Sequence, residues 1–179
     1  MGKITIYQMI LISLFAALTA VGAFISIPIG LVPISLQNLF TFLAGMVLGS
    51  KLGTLSQLIY VLLGAVGLPV FSGFRGGIGV LFGPTGGFLI GFIISAYLIG
   101  KLTENLKEAK IFPYFTIGLL GAFLIYLFGV AQLLIITKIG IKEAIMVGVI
   151  PFLAGDLLKV IAAAFIAVRL KLVVSVSEL

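Results

Sequence analysis

Asp156 and Lys159 are opposite charges set in an otherwise apolar run, residues 151–169 (PFLAGDLLKVIAAAFIAVR). Three residues apart on a helix, they share one face about one turn apart. A charge at mid-bilayer costs roughly 2.5–3.5 kcal/mol on insertion scales, so such residues face a partner or a watery cavity. One reading is a buried polar site for a ligand. The other is a self-neutralising ion pair that only orients the helix against its neighbours. Function is the default for an ionisable residue inside a membrane.

The elements that carry the pair are those of an integral membrane protein. The chain has 179 residues, is 62% hydrophobic and only 9% charged, with several apolar runs long enough to span a bilayer. That length suits one domain over residues 1–179 and leaves no room for a sizeable soluble unit. Without cysteine or histidine, disulfides, thiol catalysis and the usual zinc sites are excluded. The five acidic residues are too few and scattered for a carboxylate cage, so no metal is expected. The net charge of +6 comes mostly from cations flanking apolar segments, which fits lipid headgroups better than nucleic acid. No nucleophile is paired with a base, which argues against an enzyme. No Gly-Lys-Ser/Thr loop is present either, so any uphill transport needs ATP hydrolysed by another chain.

Six hydrophobic segments emerge: residues 4–27, 35–48, 54–66, 86–100, 113–136 and 144–168. The first, with Lys3 before it and small residues near Ala20 to Ala23, imitates a signal peptide. It is longer than a signal core and is read as an uncleaved helix. Six spans put both termini and the links near Lys51 and Lys101–Lys110 on one side. That side then carries seven cations and the other three, Arg75, Lys138 and Lys142, which assigns the termini to the cytoplasm. The second segment reaches only about 21 Å, short of the roughly 30 Å hydrocarbon core. Something non-helical must make up the depth, and the obvious candidates are the loop at 28–33 and the glycine-rich stretch at 67–87. Irregular backbone survives there only where protein buries it or it lines a cavity, and broken segments mark transporter binding sites. The charged pair and these loops therefore point to one outward-facing pocket, with Asp156 nearer its mouth and Lys159 about one turn deeper.

Residues 73–87 (GFRGGIGVLFGPTGG) are too glycine-rich for a stable helix and too apolar for a solvated linker. The functional reading is a loop that closes over a small molecule; the plain one is an inert re-entrant connection. Arg75 either draws an anionic ligand group or meets lipid phosphate. Ala16 and Ala20, four apart on the first helix, permit close approach of another helix, internal or from a separate protein. Gln37, Asn38, Tyr97, Tyr126, Gln132 and Thr137 are polar positions in or beside helices; each either points into the pocket or bonds between helices.

Residues 22–40 (GAFISIPIGLVPISLQNLF), 64–88 (GAVGLPVFSGFRGGIGVLFGPTGGF) and 151–159 (PFLAGDLLK) resemble the BioY family, the biotin-binding S components of energy-coupling-factor (ECF) vitamin transporters. The similarity covers nearly the whole chain. One departure is Phe88, where family members often carry tyrosine. The resemblance implies a compact bundle of six transmembrane helices with a glycine-rich outer loop. It implies capture of biotin from outside, and a plasma (inner) membrane location in a prokaryote. The implied partners are a transmembrane coupling protein, met through Ala16 and Ala20, and two ABC-type ATPases. No cofactor is implied; biotin is the ligand. On this view Asp156 and Lys159 read the ureido ring, and Gln37 points into the pocket. Phe71 and Phe74 cover the thioether ring and chain. Arg75, or loop N–H groups at Thr85, Gly86 and Gly87, receive the carboxylate. Other readings are an S component for a different vitamin, a carrier working without ATPases, and a structural subunit in which the charge pair is packing.

Overall fold

In a computed structural model, residues 4–28 and 31–173 are described. Lys3, the middle of the 28–33 loop and both chain ends, on which the topology expectation partly rests, lie outside them. Helix α1 (Ile6–Phe24) starts at a capping box: the Thr5 hydroxyl accepts from the Gln8 N–H and the Gln8 side chain accepts from the Thr5 N–H. Two short strands follow, β1 (Ser26–Ile27) and β2 (Ile34–Ser35), paired antiparallel with Ser26 opposite Ser35. An all-helical chain is thus amended, among the described residues, by one small antiparallel pair of strands.

Helix α2 (Gln37–Ala65) is two helical halves joined at a kink, where Gly49 has φ 79° and ψ −175°, a conformation open essentially to glycine. The two halves fold back on each other there. In a straight helix Gln37 and Tyr60 would be about 35 Å apart, whereas the Gln37 amide donates to the Tyr60 hydroxyl. The expected turn at Gly49–Gly53 is therefore real, though tighter than a loop. The Glu104 carboxylate, arriving from α4 (Gly86–Glu104), accepts from the Ser50 N–H at 2.7 Å and its hydroxyl at 2.8 Å. It caps the start of the second half as a side chain of that half would. Gly100, one turn earlier on α4, lies so close to the Ser50 backbone that any Cβ would collide with it.

The glycine-rich stretch holds one helical turn, α3 (Ile78–Leu81). After α4, which runs four residues past its expected end at 100, comes α5 (Ile111–Thr137), closed by Lys138 in the left-handed conformation. The expected single sixth helix is corrected. It divides into α6 (Ile141–Gly148) and α7 (Leu153–Val173), joined through a 3₁₀ turn at Ile150–Phe152. Pro151 lies in that turn; lacking an N–H, it cannot continue the α-helical bonding.

Among the described residues, five helical stretches are long and apolar enough to cross a membrane: Ile6–Phe24, Gln37–Ala65, Gly86–Glu104, Ile111–Thr137 and Ile141–Lys171. Helix α2 is central and packs against α1, α4 and α7, while α5 bridges α4 and α7. The outer surface is apolar: Ile6, Phe112 and Ile135 are each more than 70% exposed. Such a surface belongs in lipid, with backbone groups satisfied within the helices. This is a multi-pass membrane protein.

Candidate functional site

Asp156 lies in the first turn of α7 and is 2% exposed; Lys159 is 8% exposed. The Lys159 ammonium donates to Asp156 Oδ1 at 2.7 Å. The other carboxylate oxygen, Oδ2, accepts from Asn38 Nδ2 of α2 at 2.7 Å and from the Tyr126 hydroxyl of α5 at 2.6 Å. One carboxylate therefore gathers three donors from three helices. Charge-assisted bonds of this kind are roughly twice as strong as neutral ones, and a buried pair survives only where its remaining lone pairs are satisfied.

Beside this cluster lies a small cavity of about 50 Å³, below the about 300–1,000 Å³ usual for small-molecule sites. Lys159, Asn38 and Tyr126 line it together with Gln37, Ser35, Ser72, Arg75 and Thr85. The apolar wall is aromatic: Phe71, Phe88, Phe92 and Phe152, with Val32, Val80 and Leu89. A few convergent polar groups in an apolar hollow are the usual composition of a ligand site.

A second set of bonds fastens the loops over the hollow. Gln37 Oε1 accepts from Ser35 Oγ at 2.7 Å and from Ser72 Oγ at 3.0 Å. The Tyr60 hydroxyl, which receives the Gln37 amide, donates to the Val70 carbonyl at 3.2 Å. Phe71 and Arg75 exchange backbone hydrogen bonds across a tight turn in which Gly73 (φ 74°) and Phe74 (φ 55°) are both left-handed. The far end of the loop is tied to α5 by Gln132, whose amide donates to the carbonyls of Leu81 at 2.6 Å and Gly83 at 2.8 Å.

With this geometry in view, the comparisons decide the family. The model of the BioY family matches residues 1–176. The biotin transporter BioY of Thermotoga maritima is 51% identical, over 92% of this chain and 95% of that one. A probable biotin transporter BioY of Pyrococcus horikoshii is 47% identical, over 90% and 94%. The chain belongs to the BioY family. Its fold agrees: the crystal structure of the S component for biotin from an ECF-type ABC transporter superimposes with a TM-score of 0.87, at 31% identity, over 93% of this chain and 91% of that one.

The BioY fold brings most of the expected residues together and leaves four elsewhere. Lys159, Gln37, Phe71, Arg75 and Thr85 line the cavity, and Asp156 sits directly behind Lys159. Phe74 does not line it. Its ring is 67% exposed and stacks on Phe24 at 4.7 Å between centroids, because the left-handed turn throws the side chain outward. Gly86 is not in the lining either; a Cβ there would run into the Leu81 carbonyl and the Gln132 amide, so its smallness serves the packing of loop on helix. Ala16 is 3% exposed, and Ala20 is half-buried against the same core. Ala16 is thus used in packing inside the molecule, while Ala20 keeps part of its surface open.

Arg75 stands at the mouth. Its Nε donates to the Ser72 carbonyl at 3.0 Å, and it lines both the cavity and a shallower outer cleft with Phe24 and Phe74. Asn38 and Tyr126 are the residues that sequence reasoning underrated. The signal was there, since both are polar positions in apolar helices, but four comparable positions carried it too. Of those, Gln132 is a loop anchor, Tyr97 is half exposed, and Thr137 bonds to the Leu133 carbonyl of its own helix.

Proposed function

We propose that this BioY-family chain is the biotin-capturing S subunit of an ECF-type transporter. The observation that carries the reading is the buried Asp156–Lys159 pair, bonded to Asn38 and Tyr126, at the floor of an aromatic-lined cavity. Biotin offers a ureido group with two N–H donors and one oxygen, an apolar thioether ring, and an aliphatic chain ending in a carboxylate. Lys159, which already borders the cavity, donates to the ureido oxygen. A ureido N–H reaches Asp156 Oδ2 by displacing Asn38 or Tyr126, and the released side chain is then free to bond the ligand. The empty site needs no unpaired charge, because the same groups satisfy one another until biotin arrives.

Phe71, Phe88, Phe92 and Phe152 cover the ring system. Phe88, lacking a hydroxyl, contributes only apolar surface. Arg75 at the mouth receives the carboxylate, with Thr85 beside it. Counting the two halves of α2 separately and α6 with α7 as one unit supplies six crossings, with both termini cytoplasmic by the seven-to-three excess of cations. The chain would sit in the plasma membrane of a prokaryote. ATP would be hydrolysed on two ABC-type ATPases joined to it by a transmembrane coupling protein, not on this subunit.

The test is calorimetry of biotin on the purified, detergent-solubilised chain, beside the Asp156→Asn variant. Stoichiometric binding that fails in a folded variant supports the assignment. A folded, ligand-stripped chain that binds no biotin overturns it. Uptake of labelled biotin into vesicles holding this chain alone would instead support a carrier that works without ATPases.

A further inference from the structure

A groove of about 730 Å³, open along one side, runs between α5 and the α6–α7 unit. On α5 its wall extends from Leu119 to Leu134, about 22 Å along the axis. One leaflet of hydrocarbon is roughly 15 Å deep, so the groove can hold an extended acyl chain. Its lining is aliphatic or aromatic except for Tyr126 and Asp156, whose polar groups bond to each other and to Asn38 and Lys159. On the opposite wall the α-helical bonding is interrupted between α6 and α7. The 3₁₀ turn at Ile150–Phe152 separates the part of the wall made by Ile145 and Val149 from the part made by Leu153 and Leu157.

Two cations stand at one end. Lys138 follows Leu134 by one turn and caps α5, and Lys142 falls between the wall residues Ile141 and Ile145 in sequence. Both are exposed, and among the described residues neither takes part in an ion pair. Glu143 is the one acid in the link and in α6, so the stretch keeps a net positive charge. An apolar slot of acyl-chain length whose wall residues Leu134 and Ile141 are followed in sequence by two exposed lysines is complementary to a lipid with a negative headgroup.

We propose that this groove binds one anionic phospholipid, its phosphate held by Lys138 and Lys142 and an acyl chain laid along α5 toward Tyr126. The bound chain would complete the packing between α5 and α7 on the membrane side of the Asp156 cluster. The groove shares Tyr126 with the cavity wall and borders Asp156 of the cluster, but Lys138 and Lys142 lie outside the cavity lining, and the lipid site does not depend on the identity of the vitamin.

Native mass spectrometry of the full chain, released from micelles doped with equal phosphatidylglycerol and phosphatidylcholine, tests it. The expected result is a single retained lipid with about fivefold preference for phosphatidylglycerol, the effect of two lysines on an anionic headgroup less that of Glu143. The K138Q/K142Q double variant should lose the preference yet keep some lipid. Ala131→Trp, which fills the groove from an exposed wall position, should lose both. Neither variant touches the cavity lining, so retained biotin binding certifies the fold. Equal retention of the two lipids by the wild type, or undiminished phosphatidylglycerol in Ala131→Trp, overturns the proposal. So does a lipid-free dimer that Ala131→Trp disperses, because the groove would then be covered by a second copy.

Discussion

Two of the polar clusters buried in this membrane protein differ in a way that separates binding from packing. Between α1 and the two halves of α2, Thr41 Oγ1 donates to Gln57 Oε1 at 3.1 Å, and Gln57 Nε2 donates to Thr19 Oγ1 at 3.1 Å and Ser56 Oγ at 3.3 Å. All four residues are fully buried, none carries a formal charge, and none lines the cavity. The Asp156 cluster has the same density of bonds but contains an ion pair, and three of its members border an empty hollow. A neutral closed network holds helices in register. A charged network open on one side can exchange an internal partner for a ligand, and so can do both.

The comparison breaks most readily at Asp156. Replacing it by Asn keeps the shape, removes the charge-assisted acceptor and strands Lys159. Biotin affinity should fall by about 100-fold or more, since bonds to charged groups are worth about 1.5–3 kcal/mol and the partner left behind is an unpaired buried charge. Calorimetry on the folded variant reads this directly, and an affinity within a few-fold of wild type would return the pair to packing. Tyr126→Phe deletes one donor to Oδ2 and should weaken biotin by about tenfold, with little change in melting temperature. If stability fell and affinity held, Tyr126 would belong with the packing cluster.

The opposite pattern is expected at Gln57. Gln57→Leu leaves Thr19 and Thr41 without their inter-helix partner and should cost about 1–2 kcal/mol of stability, seen as a lower unfolding temperature in detergent. Because the two networks share no hydrogen-bonded residue, biotin affinity should stay within about twofold. The smallest effect belongs to the rim. Phe74→Ala removes the stack on Phe24, worth about 0.5–1.5 kcal/mol, and should speed biotin dissociation by a few-fold in a chase experiment. An unchanged off-rate would show that the stack does not hold the loop over the cavity.

Much of this was legible in the order of residues. Apolar segments, the glycine turn at 49–53, the irregular loops and the i, i+3 charge pair all follow from local patterns. The break at Pro151 was legible too, yet the apolar run continues through it and hid the division into α6 and α7. Less visible was the use made of the small residues. A stripe such as Ala16 and Ala20 reports that some helix approaches closely, and the folded chain shows that α1 packs on α2. Phe74 was misjudged for a conformational reason: two left-handed residues in succession turn it away from Phe71, and nothing in the residue types specifies that.

What the sequence by itself determined is the environment and the need. Its hydrophobicity demands a bilayer, and a charged pair in that setting demands compensation, both being consequences of transfer free energy. Which groups compensate was decided only by the tertiary structure. Asn38 lies 118 residues from Asp156 and Tyr126 lies 30 away, and each meets the carboxylate because α2, α5 and α7 converge there. Packing in lipid is driven by shape and a few hydrogen bonds rather than by a hydrophobic pattern, so that convergence leaves no periodic trace in the chain.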